Sequence, residues 1–381
     1  MTDLENILPL WHELESSKAD YVLATVVAVE GPSYRKPGAR MLIASDGRRA
    51  GTVSGGCLES EVAKRAWWLT ESGPAVERYS TVADDGDSPY GSGCGGVVYI
   101  LLERKATAEP LLKALASAFY ARTPLAIATV LEGPSIGQRT FAGLPADNAN
   151  SIDTADDALR RELRNLAEVA NEAKRSIDQR IQVDGTETRA WVDYRAARPG
   201  LWIFGAGDDA KPLVGLGRSL GWFVAVADGR SDLATRARFP QADVVNVLPA
   251  SDSFVMAPRL DLRPSDAAVV MTHSYEQDLN ILSQLLVDEA GMPIAYIGVL
   301  GPQRRTRDLL VEAARLRHIP DPEERVEKWL AQLHAPTGLD LGAETPATIA
   351  LSILSEIQQT LAAASAQPLK KVRAVAPAVS C

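Results

Sequence analysis

The chain has 381 residues, 46% of them hydrophobic and 23% charged, which is long enough for two domains that each bury a core. Its net charge of −9 argues against non-specific nucleic-acid binding, and no apolar run reaches the roughly 20 residues of a membrane span. Three cysteines and an N-terminus without a basic, apolar leader predict a cytoplasmic protein that has no disulfide framework.

The N-terminal half reads as alternating helices and strands. Apolar residues at helical spacing predict an amphipathic helix over 4–17, and a valine-rich run predicts a buried strand over 21–29. A glycine–proline loop over 31–38 then leads into further elements. They are a strand over 39–44, a short strand over 50–53, a helix over 58–71 and strands over 76–80 and 97–103.

Two of the three cysteines lie in glycine-rich loops of this half. Cys57 follows Gly55 and Gly56 at the start of a predicted helix, where unsatisfied backbone N–H groups lower the pKa of a thiol. Cys94 lies in the sequence GSGCGG, whose glycines permit a ligand to approach the backbone. The alternative is that both are small apolar core residues. Neither has the CxxC spacing of a structural zinc site.

Two strand exits in this half resemble each other. Residues 24–26 and 128–130 both read Ala-Thr-Val, and 30–33 and 132–135 both read Glu-Gly-Pro-Ser. Two similar strand exits within one sheet would explain the likeness, and an internal duplication is the alternative.

A charged stretch indicates where one domain ends. Residues 154–178 have charges of alternating sign and few aromatic residues, which is typical of a solvated helix, here in a connector at about 150–180. Arginine, proline and glycine at 195–200 mark the boundary. The predicted domains are 1–195 and 199–366, followed by a flexible tail over 367–381.

The C-terminal half alternates apolar strands with helical stretches. This pattern predicts βαβ units and a parallel sheet. The expected strands are 201–204, 223–227, 244–247, 267–271 and 294–299. The fold class is therefore α/β, with an N-terminal mixed α/β domain followed by a Rossmann-like, doubly wound parallel-sheet domain.

A glycine turn after the first of these strands predicts a nucleotide site. Gly205 and Gly207 begin a G-x-G-x-x-A pattern between strand and helix, and Asp228 ends the next strand, where it could accept from ribose hydroxyls. The alternative is a glycine turn that binds no nucleotide. Asp208 and Asp209 oppose tight phosphate binding, because their charges would repel an anion.

Polar residues also follow two later strands. His273 follows the strand over 267–271, and Arg304 and Arg305 follow the strand over 294–299. Open parallel sheets bind ligands at these strand ends, so His273 could contact a ligand and the arginines could hold a phosphate. The alternatives are a hydrogen-bonded structural histidine and arginines that cap a solvated helix.

These motifs occur in one order along most of the chain. They are the segments 31–41, 51–59, 204–210, 272–278, 298–305, 336–342 and 344–353. Together they resemble the xanthine dehydrogenase accessory family (XdhC/CoxI), with the first two in its N-terminal domain and the others in its Rossmann domain. Two positions depart from the family pattern: Asp208 stands where the family carries histidine, and Pro302 where it carries serine.

The resemblance implies a maturation factor and not an enzyme. Family members bind molybdenum cofactor, or its cytosine dinucleotide form, during exchange of an oxo for a sulfido ligand. They pass it to a client molybdenum hydroxylase, with a cysteine desulfurase as sulfur donor, and a homodimer is expected. A soft thiolate suits molybdenum, so Cys57 is the expected metal ligand. The expected cofactor-binding residues are Cys57, Gly55, Gly56, Cys94, Gly205, Gly207, Asp228, His273 and Arg304.

Two rival functions use the same residues. An NAD(P)-dependent oxidoreductase would use the Rossmann turn, with His273 as its proton donor. A sulfur-transfer enzyme would use Cys57 as nucleophile and would need a base nearby, for which His12 is the one histidine of the N-terminal domain.

Overall fold

The computed structural model describes residues 2–80, 96–144, 157–248, 260–286 and 294–372. The chain divides into two compact units, Met1–Arg198 and Pro199–Cys381. The predicted α/β class is confirmed, with an all-parallel sheet in the second unit. Within the described ranges, none of the helices combines the length and apolarity that crossing a membrane requires.

The first unit begins with a five-stranded antiparallel sheet in the order β3-β2-β1-β5-β4. The valine and leucine side chains of β1 are buried on both faces of the sheet, as the sequence predicts. The elements are α1 (Thr2–Ser16), β1 (Tyr21–Glu30), β2 (Arg40–Ala44), β3 (Arg49–Gly51), α2 (Glu59–Leu69), β4 (Ala75–Ser80) and β5 (Val97–Arg104).

A second, four-stranded sheet completes this unit in the order β7-β6-β9-β8. The elements are α3 (Lys105–Ala121), β6 (Leu125–Val130), β7 (Arg139–Ala142), α4 (Ala158–Glu172), β8 (Ile177–Val183) and β9 (Thr186–Arg195). The helix predicted within the charged stretch 154–178 forms as α4, but it is solvated on one face only. The charges of α4 occupy one face, and its other face buries Leu163, Leu166, Ala167 and Ala170 against this sheet.

The two sheets are copies of one pattern. Helix, two paired strands, helix and two paired strands follow in the same order, with β3 as one additional strand in the first sheet, and each sheet places its first strand between its second and its last. The registers also agree: Leu23 of β1 faces Glu103 of β5, and Ile127 of β6 faces Asp193 of β9. The similar exits of β1 and β6 therefore belong to different sheets, which favours internal duplication. We call Thr2–Arg104 the first repeat and Lys105–Arg195 the second repeat.

Two buried ion pairs cross between the repeats with the same symmetry. Arg40 on β2 pairs with Asp193 of the second repeat at 2.8 Å, and Arg139 on β7 pairs with Glu103 of the first. Each arginine also donates to the glycine carbonyl two residues before it, Arg40 at 3.0 Å and Arg139 at 3.1 Å. We call the loops that follow β1 and β6 the strand-exit loops. The base of each strand-exit loop is thus fixed by a carboxylate from the other repeat.

The second unit is a five-stranded parallel sheet in the order β12-β11-β10-β13-β14. Helices α5 and α9 pack on one face, and α6, α7 and α8 on the other, as a doubly wound sheet requires. The strands are β10 (Gly200–Phe204), β11 (Phe223–Asp228), β12 (Val244–Val247), β13 (Ala267–Val270) and β14 (Tyr296–Val299). The helices are α5 (Ala210–Ser219), α6 (Tyr275–Leu285), α7 (Gln303–Leu316), α8 (Pro322–Gln332), α9 (Pro346–Leu361) and α10 (Leu369–Val372).

Candidate functional site

The loop that carries Cys57 is organised by two polar side chains. The buried Glu59 carboxylate, at the start of α2, accepts from the backbone N–H groups of Val53 at 3.2 Å and Ser54 at 2.9 Å and from the Ser54 hydroxyl at 2.6 Å. Burial raises the pKa of Glu59, but these hydrogen bonds outweigh it and hold the pKa below its ordinary value. The loop therefore closes around a carboxylate that stays ionised.

Ser54 also sets the position of the thiol. Its hydroxyl oxygen accepts from the backbone N–H groups of Gly56 and Leu58, both at 3.1 Å, and the Cys57 Sγ lies 3.5 Å from it. Cys57 is exposed and precedes Leu58, the N-cap of α2, as the sequence predicts. Gly56 adopts φ +114°, a left-handed conformation that a side chain would oppose.

Two further loop segments lie close to this one. The ring of Tyr34, in the loop after β1, covers Gly55: a Cβ at Gly55 would lie 3.5 Å from the ring. The backbone at Gly96 lies directly against the Pro32 carbonyl, too close for a Cβ. Cys94, predicted as a second site residue, lies outside the described residues. The loop after β1 therefore contacts both other segments, at Gly55 through Tyr34 and at Gly96 through Pro32.

In the second unit, the glycine turn after β10 forms as predicted. Gly205 has φ +136°, and a Cβ there would lie 2.5 Å from the Met271 carbonyl oxygen. The turn can therefore follow the end of β13 only with glycine at this position. At Gly207, a Cβ would meet the Asp209 side chain.

Asp228 lies at the end of β11, as predicted, but its carboxylate oxygens already accept hydrogen bonds from other residues of the protein. It is 0% exposed, accepts from Ala206 N at 2.7 Å and from Arg230 N at 2.9 Å, and pairs with the Arg230 guanidinium at 2.6 Å. Burial raises the pKa of Asp228, but its hydrogen bonds lower the pKa by more, so the pKa lies below its ordinary value. Asp228 therefore fixes the glycine turn and presents no accessible oxygen to a ribose. Arg230, which the sequence analysis missed, follows it by two residues.

A polar cleft of about 290 Å³ opens where β13 and β14 end. Its lining is Met271, His273, Asp278, Leu300, Gly301 and Arg305. Buried Asp278 accepts from the Thr272 hydroxyl at 2.6 Å and pairs with Arg305 at 2.7 Å. Arg305 thus lines this cleft, whereas the predicted Arg304 is exposed and is not among the lining residues.

The predicted His273 lies at the rim of this cleft. Its backbone adopts φ +61°, and its Nε2 lies 3.0 Å from Asp209 Oδ2, so the histidine connects the end of β13 to the glycine turn. The other acid of that turn, Asp208, is 79% exposed and pairs with Lys211 at 2.7 Å and Arg238 at 2.9 Å, which lower its pKa. Basic side chains therefore offset part of the negative charge here.

A larger groove of about 580 Å³ lies elsewhere on the second unit. Its lining from α5, α9 and the segments beside them is mostly leucine and alanine, with no charged side chain. Because a phosphate-bearing ligand needs convergent polar groups, the smaller cleft is the better candidate for it. Among the residues that the structure describes, no three histidine, cysteine, aspartate or glutamate side chains cluster as a metal site.

Comparisons with known proteins agree with these features. The family model described as the XdhC and CoxI family matches residues 14–80, and that of the XdhC Rossmann domain matches residues 201–357. A protein of Bacillus subtilis named as a probable subunit of xanthine dehydrogenase is 31% identical over 91% of this chain and 95% of that one. The "Molybdenum cofactor insertion chaperone PaoD" of Escherichia coli is 34% identical over 30% of this chain and 35% of that one. The crystal structure of a xanthine dehydrogenase from Bacillus halodurans, 26% identical, matches with a TM-score of 0.68 over 98% of this chain and all of that one.

Proposed function

Since the chain belongs to the XdhC and CoxI family, we propose that it is an accessory protein that binds molybdenum cofactor and delivers it to a molybdenum hydroxylase. The name of the PaoD relative supports cofactor insertion as the task. The proposal includes sulfuration of the cofactor, with a cysteine desulfurase as sulfur donor. It also includes a homodimeric protein in the cytoplasm.

The observation that carries this proposal is the exposed Cys57 thiol in a loop fixed by Ser54 and Glu59. A thiolate is a soft, strongly donating ligand that suits molybdenum, and exposed Gly55 and Gly56 leave the adjacent backbone open to a bulky ligand. The residues present therefore fit the cofactor. When bound, its molybdenum supplies the oxo ligand that is exchanged for sulfido; Cys57 would hold the metal end as cargo.

We further propose that the cleft of the second unit binds a phosphate group of the kind that molybdopterin or its cytosine dinucleotide form carries. Arg305 and His273 supply the polar side chains, and the start of α7 adds backbone N–H groups that favour an anion. Pro302 lacks an N–H at this helix start, so the cleft has one donor fewer than a serine would give. Gly205 and Gly207 let a ligand approach the turn closely.

The contacts of Asp228 weigh against the NAD(P) alternative. A Rossmann dehydrogenase needs this carboxylate to accept from ribose hydroxyls, but Asp228 is buried and already accepts from Ala206 and Arg230. For sulfur transfer by Cys57 alone, the predicted base His12 instead contacts Tyr120 at 3.4 Å. Neither rival is favoured by a specific contact.

The direct test is co-purification of the protein with molybdenum cofactor, followed by metal analysis and pterin fluorescence. We expect Cys57→Ala to lose most of the bound molybdenum while the circular dichroism spectrum stays unchanged. Cys381→Ala is the matched control and should keep the cofactor. Tight NAD(P) binding by a protein that binds no pterin would refute the proposal.

A further inference from the structure

The two repeats of the first unit differ in the length of their strand-exit loops, the loops that follow β1 and β6. Both loops begin with Glu-Gly-Pro-Ser and end at a glycine whose N–H donates to the valine of the preceding strand, at 2.7 Å for Gly38 and 3.0 Å for Gly137. Between them the second repeat has only Ile136, whereas the first has four residues, 34–37. The extra residues are therefore not needed to make the turn.

The residue that follows the shared serine has opposite surroundings in the two repeats. Ile136 packs against the apolar cluster of Val27, Leu101, Leu131 and Trp191, as a structural turn residue should. Its counterpart, Tyr34, is 74% exposed. An aromatic ring held in water gains nothing from core packing, so its presence at this position calls for another use.

The connection between the last two strands is also longer in the first repeat than in the second. In the second repeat, β8 and β9 are joined by a turn of Asp184 and Gly185 alone. In the first repeat, residues 81–96 join β4 to β5. The loop before α2, which carries Cys57, also belongs to the first repeat. The first repeat thus has the longer connections, and the second repeat has the shorter ones.

The Tyr34 ring lies over the loop that carries Cys57. The ring rests over Gly55, two residues before the cysteine. The loop is fixed on both sides, since the Ser33 hydroxyl donates to the Arg35 carbonyl at 2.7 Å and the Arg40 guanidinium donates to the Gly38 carbonyl at 3.0 Å. A ring that is already ordered loses little conformational entropy when a ligand stacks on it.

We propose that Tyr34 is a stacking platform for a planar heterocycle, the pterin ring system, bound next to Cys57. This inference rests on the proposed function and adds a residue that selects the ligand by shape. An aromatic face attracts a flat, electron-poor ring whatever its hydrogen-bonding edge, and Tyr34, which is 74% exposed with Gly55 beneath its ring, has surface open to such a ligand. The Cys57 thiol would then hold the metal end while Tyr34 orients the pterin.

The test compares Tyr34→Ala, Tyr34→Phe and Tyr120→Ala in the full chain. Tyr120 is the matched control, because it is 62% exposed in the same unit but lies on α3. The probe is pterin-6-carboxylate, whose fluorescence reports binding, and the pterin content of each purified protein is measured in parallel. We expect the Kd to rise about tenfold in Tyr34→Ala and to stay within about twofold of wild type in the other two.

Three results would overturn the proposal. Tyr34→Ala could bind the probe as well as wild type does, Tyr34→Phe could lose as much affinity as Tyr34→Ala, or Tyr120→Ala could lose as much as either. If the wild-type protein carries molybdenum cofactor while Tyr34→Ala loses no affinity, only this inference fails. If the wild-type protein binds neither cofactor nor probe, the proposed function fails with it.

Discussion

The crossed ion pairs of the first unit allow a comparison of two carboxylates in equivalent positions. Asp193 is 4% exposed and accepts from Arg40 at 2.8 Å and Arg195 at 2.9 Å. Burial raises its pKa, but the two guanidiniums outweigh burial and hold the pKa below its ordinary value. Asp193 is therefore ionised, and Asp193→Asn would leave Arg40 buried without its counter-charge.

The second carboxylate, Glu103, pairs with Arg139. Burial raises the pKa of Glu103 above its ordinary value in spite of this arginine. Because folding disfavours the ionised form of Glu103 and favours that of Asp193, we expect Glu103→Gln to cost less stability than Asp193→Asn. Removing one partner of a buried pair costs about 3–5 kcal/mol, and we expect Asp193→Asn to cost this much. Glu103→Gln should cost about 1–3 kcal/mol, the range for a lost buried hydrogen bond.

Calorimetry of the full chain measures the difference. For a unit of this size, 1 kcal/mol shifts Tm by about 2–4 °C, so Asp193→Asn should lower the Tm of the first unit by roughly 6–20 °C. The pKa of Asp193 is lowered by folding, so its stabilisation is present above the unfolded pKa and is lost as pH falls through the folded one. The two variants should thus differ most near neutral pH. Equal losses, or a larger loss in Glu103→Gln, would refute the reasoning.

Two further predictions concern the second unit. Gly205→Ala should cost about 1–3 kcal/mol in urea unfolding, because the new Cβ would meet the Met271 carbonyl oxygen at φ +136°. Gly342→Ala, at φ +66° with nothing within 4 Å, is its control in the same unit and should cost less; equal costs would contradict the steric argument. Asp228 and Glu356 both have lowered pKa values, so their stabilisation is present at neutral pH and is lost as pH falls through the folded values. Urea midpoints should therefore drop between pH 7 and pH 3, and unchanged midpoints would be inconsistent with ionised carboxylates.

Several features of this protein follow from local sequence alone. Alternating apolar strands and helical stretches predicted the parallel sheet, because burial on both faces requires nearly continuous apolar strands. The glycine turn at Gly205 and the position of Cys57 at the start of α2 also followed, since each depends on neighbours within a few residues. The predicted site roles of Cys57, Gly55, His273 and the others stay predictions.

Long-range pairing decided the rest. The charge pattern of α4 indicated a solvated connector, because a sequence shows charges but not the sheet that buries the opposite face. Arg305, and not Arg304, lines the cleft because both lie on helix α7, where consecutive side chains point about 100° apart.

The sequence by itself determined the fold class, the family resemblance and the glycine-rich loops, all of which are encoded in short stretches of chain. Only the tertiary structure decided that the Asp228 carboxylate accepts its hydrogen bonds from residues of its own turn. It also decided that the two sheets of the first unit repeat one strand order, which favours duplication. The physical reason is that a carboxylate can accept hydrogen bonds from backbone N–H groups as well as from a ligand. Which of them it binds depends on the donors that the fold brings within about 3 Å. Asp193 binds Arg40 in this way, although the two residues lie 153 positions apart in the chain.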